Sequence, residues 1–135
     1  MTNELYGSGA IEFGKWNTPF ENDSIEILDA NYSSADSKLV IRVRIASGGK
    51  TFCIDFENVY AFRVLDEHGL LNVWSATKEL GGRPAQTTFK LRNSLWTQES
   101  PISFLNSDGW SFVIATDWDC AEVVTKSTPK ISQTD

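Results

Sequence analysis

Asp117, Asp119 and Cys120 stand within four positions of one another in "ATDWDC" (115–120), and His68, the chain's one histidine, directly follows Asp66 and Glu67. Carboxylates, a thiolate and an imidazole are donors that divalent metals take, and a Cys with a His can act as nucleophile and general base. The spacing argues against both chemistries. Asp-x-Asp-Cys fits no closed zinc pattern and lacks the ligand loop of a calcium site. Asp66-Glu67-His68-Gly69 reads as a solvated turn, far along the chain from the thiols of Cys53 and Cys120. Gly48-Gly49 and Gly81-Gly82 lack the other residues of a phosphate loop. No residue is therefore assigned a catalytic role, and no metal or cofactor is expected.

If these groups are not a reaction centre, the elements that carry them must say what they are. A chain of 135 residues with 41% hydrophobic and 12% aromatic content builds one folded domain over 1–135, with 1–9 and 127–135 expected as loose termini. Two widely separated cysteines suggest free thiols in a reducing compartment. Without a signal peptide or a long apolar run, the expectation is a cytoplasmic protein with no membrane segment. Net charge is -6, with seven acids against one base in 1–36 and six against two in 93–135. Such a distribution offers no phosphate-binding footprint, so nucleic acid is excluded as a direct partner, and a basic macromolecule fits better.

Strand signals dominate. In "KLVIRVRIASGGKTFCIDFEN", Leu39, Ile41, Val43 and Ile45 alternate with Val40, Arg42 and Arg44, and after Gly48-Gly49 Phe52, Ile54 and Phe56 alternate with Thr51, Cys53 and Asp55. A two-residue Gly-Gly turn would set Ile45 opposite Phe52, Val43 opposite Ile54 and Ile41 opposite Phe56. "SIEILDANYSS" is a further strand whose inward face is ambiguous, because both Ile25-Ile27 and Leu28-Ala30-Tyr32 qualify. "ENVYAFRVLDEHG" and "QTTFKLRN" add two more, whereas "LLNVWSATKEL" fits neither helix nor strand period. The expected class is mainly β: an antiparallel sandwich or half-open barrel with at most one or two short helices.

The last two strands, "WSFVIAT" and "CAEVVTK", enclose the acidic cluster. An even-length turn centred on Asp117-Trp118 pairs Phe112 with Val123 and Ile114 with Ala121, while an odd one would bring Glu122 among them. The cluster thus becomes a hairpin tip, with Cys120 entering the next strand. Trp118 at that tip either folds back or meets a partner. Trp74, Trp96 and Trp110 read as core or half-core residues, and Trp16 as a clamp on the N-terminal segment.

Across "AFRVLDEHGLLNVW" and "SFVIATDWDCAEVV" the chain resembles small, acidic, β-rich bacterial immunity proteins of polymorphic or contact-dependent growth-inhibition toxin systems. That resemblance implies a cognate toxin domain as partner, often a nuclease, with its active site occluded. The expected contact surface is Asp66, Glu67, Asp117, Trp118, Asp119 and Glu122, with Glu21, Asp23 and Glu26 as a competing location. A β domain holding a small ligand in an aromatic pocket is the alternative. The sequence leaves the oligomeric state open.

Overall fold

Short runs of alternating apolar and polar residues give nine strands in a computed structural model, which describes residues 11–66, 84–93, 96 and 109–134. They are β1 (Glu12–Lys15), β2 (Ile25–Ser33), β3 (Lys38–Ile45), β4 (Thr51–Phe56), β5 (Val59–Asp66), β6 (Thr88–Arg92), β7 (Trp110–Ala115), β8 (Asp119–Thr125) and β9 (Lys130–Gln133). Every pairing is antiparallel, in a five-stranded sheet ordered β1-β6-β7-β8-β5 and a four-stranded sheet ordered β2-β3-β4-β9. The two open sheets make a β sandwich and not a closed barrel. Among the described residues no helix is long and apolar enough to cross a membrane.

The core lies between the sheets. Leu39, Ile41, Val43, Phe52, Ile54 and Phe56 meet Phe112, Ile114, Ala121 and Val123 from the other side, all of them buried. Each large apolar side chain removed from water contributes about 1.5–3 kcal/mol. Trp16 does clamp the N-terminal segment, its ring lying 5.0 Å from Phe112 and 6.1 Å from Phe56. The five-stranded sheet is buried on its other face as well, where Ile11, Phe89, Leu91, Val113, Ala115 and Cys120 form a second cluster. By contrast, the outer face of the four-stranded sheet carries Glu26, Asp29, Arg42 and Arg44 in ion pairs.

The β7–β8 hairpin has the expected register, Phe112 with Val123 and Ile114 with Ala121. The β3–β4 hairpin does not. Its pairs are Val43 with Phe52, Ile41 with Ile54 and Leu39 with Phe56. Ile45 N–H donates to Lys50 O (2.8 Å) and Gly49 N–H to Ile45 O (3.1 Å), so the connection holds four residues, with both glycines at positive φ. The slip is two residues, which changes neighbours but keeps every side chain on its expected face.

A bulge at Leu28 explains the ambiguity of β2: before it Ile25 is buried and Ile27 half-buried against the core, and after it Ala30 and Tyr32 pair with Ile41 and Leu39 but remain exposed. The tail expected to be loose from 127 instead contains β9, which pairs Ile131 with Ile54 along the edge of the second sheet. The expected loose start (1–9) lies outside the described residues, as do Glu67, His68 and the segment holding Trp74.

Candidate protein-binding end

The tip of the β7–β8 hairpin is built by Thr116. Its Oγ1 accepts from the amides of Trp118 (3.0 Å) and Asp119 (2.9 Å) and donates to Asp119 O (2.8 Å), which also accepts from Thr116 N–H (2.9 Å). A hydroxyl that satisfies two turn amides fixes a short connection without a glycine. The turn presents Trp118 outward: it is 59% exposed, so it does not fold back onto the core. Asp117 is exposed beside it, and Asp119, at the start of β8, stands directly opposite Asp66 at the end of β5. Cys120 is buried, with its thiol 3.6 Å from Asp66 O, in a structural position.

The loop at 17–24 brings the second acidic segment to the same end. Phe20, fully buried against Phe52, anchors it. Thr87 N–H donates to Glu21 O (2.8 Å), Thr87 Oγ1 to Phe20 O (3.0 Å), Ala115 N–H to Thr87 O (2.8 Å) and Ala46 N–H to Ser24 O (2.8 Å). The loop is thereby tied to both sheets. Asp23 and Asp117 line one cleft of about 320 Å³ together with Asn22, Ser24, Thr87 and Thr116. One member of each of the two locations that compete in the sequence, Asp23 and Asp117, thus meets the other across a single cleft. Lys15 and Lys50 line the adjoining clefts at its margins.

Two members of the expected sets do not belong here. Glu26 pairs with Arg44 on the outer face of the four-stranded sheet. Glu122 is 1% exposed, so it is no surface residue: Arg63 donates to its Oε1 through Nη2 (2.9 Å) and Nε (3.2 Å), and Ser111 Oγ donates to Oε2 (2.7 Å). Arg63 in turn lies 4.5 Å over the Trp96 ring. The physical reason is the second buried face of the five-stranded sheet, where alternation points Glu122 away from the core but not into water. Its place in strand register opposite Arg63 is the signal that sequence alone hides, because it requires β5 to lie beside β8.

Trp110 is half-buried, under the guanidinium of Arg92 at 4.4 Å. Trp16 instead helps line a cleft of about 310 Å³ with Phe13, Lys15, Glu21 and Phe89, at the small end of the range for ligand pockets. Among the described residues no group of three or more His, Cys, Asp or Glu converges as metal ligands would. No family model, curated protein or solved structure matches this chain.

Proposed function

We propose that this chain is an immunity-type binding protein that captures a basic protein domain, by preference a nuclease toxin, through the end of the sandwich formed by Trp118, Asp117, Asp119, Asp66, Asp23 and Glu21. The observation that carries the reading is a tryptophan 59% exposed on a hydrogen-bonded turn between two carboxylates. A large aromatic on water is unfavourable unless a partner covers it, and tryptophan is a frequent anchor of interfaces. Because Thr116 already holds the turn, little conformational entropy is lost on docking. The acids speed encounter with a basic surface and stand where a nuclease expects phosphate, while Trp118 desolvates the contact and slows dissociation. The occluded surface would be on the order of 1,600 Å² in total.

The test is co-purification with the C-terminal domain encoded by the gene immediately upstream. A large toxin gene there and a stable complex are expected. Trp118→Ala should weaken that complex by at least about 2 kcal/mol, roughly thirtyfold, with an unchanged thermal melt. Wild-type affinity in Trp118→Ala would remove this end of the sandwich as the interface. An upstream gene of unrelated metabolism would remove the immunity reading.

A further inference from the structure

We propose that the cleft where β1 leaves β6 binds a free α-amino acid with an apolar side chain, its carboxylate on Lys15, its ammonium on Glu21 and its side chain against Phe13, Trp16 and Phe89. The inference does not rest on the toxin-binding reading, because this chain alone would hold the ligand. The cleft follows from the path of the chain. β1 pairs with β6 as far as Lys15 opposite Phe89 and then departs, and the loop at 17–24 returns to the same stretch. The hydroxyls of Thr18 and Thr88 share a hydrogen bond (2.9 Å), and Thr87 N–H donates to Glu21 O (2.8 Å). Departure and return border a cleft of about 310 Å³ whose walls are tied to each other by these bonds. A site shaped before its ligand arrives loses little conformational entropy on binding.

The lining selects the class of ligand. Among the described residues the Lys15 ammonium makes no hydrogen bond or ion pair, so it does not bridge to Glu21 on the same cleft. Glu21 in turn is engaged only at Oε1, which accepts from Thr18 N–H (2.8 Å). One cation and one anion that border a single cleft without neutralising each other match a molecule carrying both charges, whereas a simple acid or amine would satisfy only one of them. Aromatic rings complete the wall. Phe13 and Phe89 meet edge to face at 5.6 Å, and Trp16 is held in place by Phe112 and Phe56. A few convergent polar groups over such rings are the common form of a small-ligand site. Size narrows the choice further, since a cleft at the low end of the range for ligand pockets suits one amino acid and not a longer peptide.

NMR titrations of the purified chain, read at the Trp16 indole and the Gly14 amide, test this with L-phenylalanine and L-leucine as probes. Two analogues isolate the charges: 3-phenylpropionate lacks the ammonium, and phenethylamine lacks the carboxylate. At least one of the amino acids is expected to saturate with a dissociation constant of about 1 mM or tighter, and each analogue should bind about tenfold more weakly than L-phenylalanine. Lys15→Gln should weaken L-phenylalanine about tenfold and leave phenethylamine unchanged. Glu21→Gln, which keeps Oε1 as an acceptor for Thr18, should do the same with 3-phenylpropionate unchanged. No saturable shift by about 10 mM of either amino acid would overturn the proposal, as would saturation that spares Trp16 and Gly14. Analogues that match L-phenylalanine on the wild-type chain would overturn the assignment of the two charges. None of these results bears on capture of a toxin domain, which stands or falls by co-purification and Trp118→Ala.

Discussion

Glu122 shows how far a residue's environment can depart from its type. A carboxylate that is 1% exposed has lost its hydration, and it persists because Arg63 and Ser111 satisfy both oxygens. Removing one member of such a pair is costlier than the pair is worth, since the other is left buried and charged. Arg63 keeps 25% of its side-chain exposure, so it recovers some hydration when its partner goes. Glu122→Ala is therefore expected to cost about 2–3 kcal/mol, at the lower end of the scale for buried pairs, read as a fall in the denaturant midpoint with an unchanged slope. Glu122→Gln, which keeps shape and can still bond to Ser111, should lose less. A cost for Glu122→Ala below about 0.5 kcal/mol, typical of a surface site, would show that solvent reaches the pair.

The elements were largely legible in the sequence wherever one face met the core and turn chemistry was unambiguous. The β7–β8 register followed from keeping Glu122 away from Phe112 and Ile114. In β3–β4 the alternation sets the face of each side chain but not its partner, because Gly48-Gly49 serves a four-residue connection closed by Ile45 and Lys50. The ambiguity of β2 is real: the bulge at Leu28 shifts its alternation between the core-contacting Ile25-Ile27 and the exposed Ala30-Tyr32, and no local pattern announces a bulge. β9 was hidden in a polar tail, since an edge strand needs little apolar surface. One consequence of the β2–β3 pairing is measurable. Arg42 bonds to Asp29 through Nε (3.0 Å to each oxygen) and Nη2, and this holds the Asp29 carboxyl below its ordinary value of 3.8. A lowered folded pKa adds stability that is complete above the unfolded value and is lost as pH falls through the folded one. Asp29→Asn should therefore melt slightly below wild type at neutral pH, with the gap closing only below pH 3.8. The pair is exposed and screened, so the gap should be small and shrink in salt. A gap that is the same at neutral and acid pH would mean the ion pair is not its source.

At the scale of the whole molecule, acidic groups distant in sequence converge at one end, while four of the described arginines are paired elsewhere. Arg42 and Arg44 are neutralised on the outer face of the four-stranded sheet, Arg63 pairs with Glu122, and Arg92 pairs with Glu12. The end built from the 17–24 loop and the β7–β8 tip gathers the negative charges of Asp23 and Asp117 along one cleft, with Lys15 and Lys50 at its margins. The candidate site was only half legible for this reason: composition gave the two acidic segments, but nothing in the chain says that Thr87 ties one to the other. If these charges guide a basic partner, Asp23→Lys and Asp117→Lys should each slow association several-fold at low ionic strength and much less in high salt, with small effects on dissociation. Because both residues line the same cleft, the double variant should depart from the product of the single effects. Asp36→Lys, an equal charge change in the β2–β3 turn at the far end of the sandwich, should leave the rate near wild type in stopped-flow measurements. Equal slowing by Asp36→Lys would assign the effect to net charge alone, and strictly independent effects of Asp23 and Asp117 would mean that they do not act as one surface.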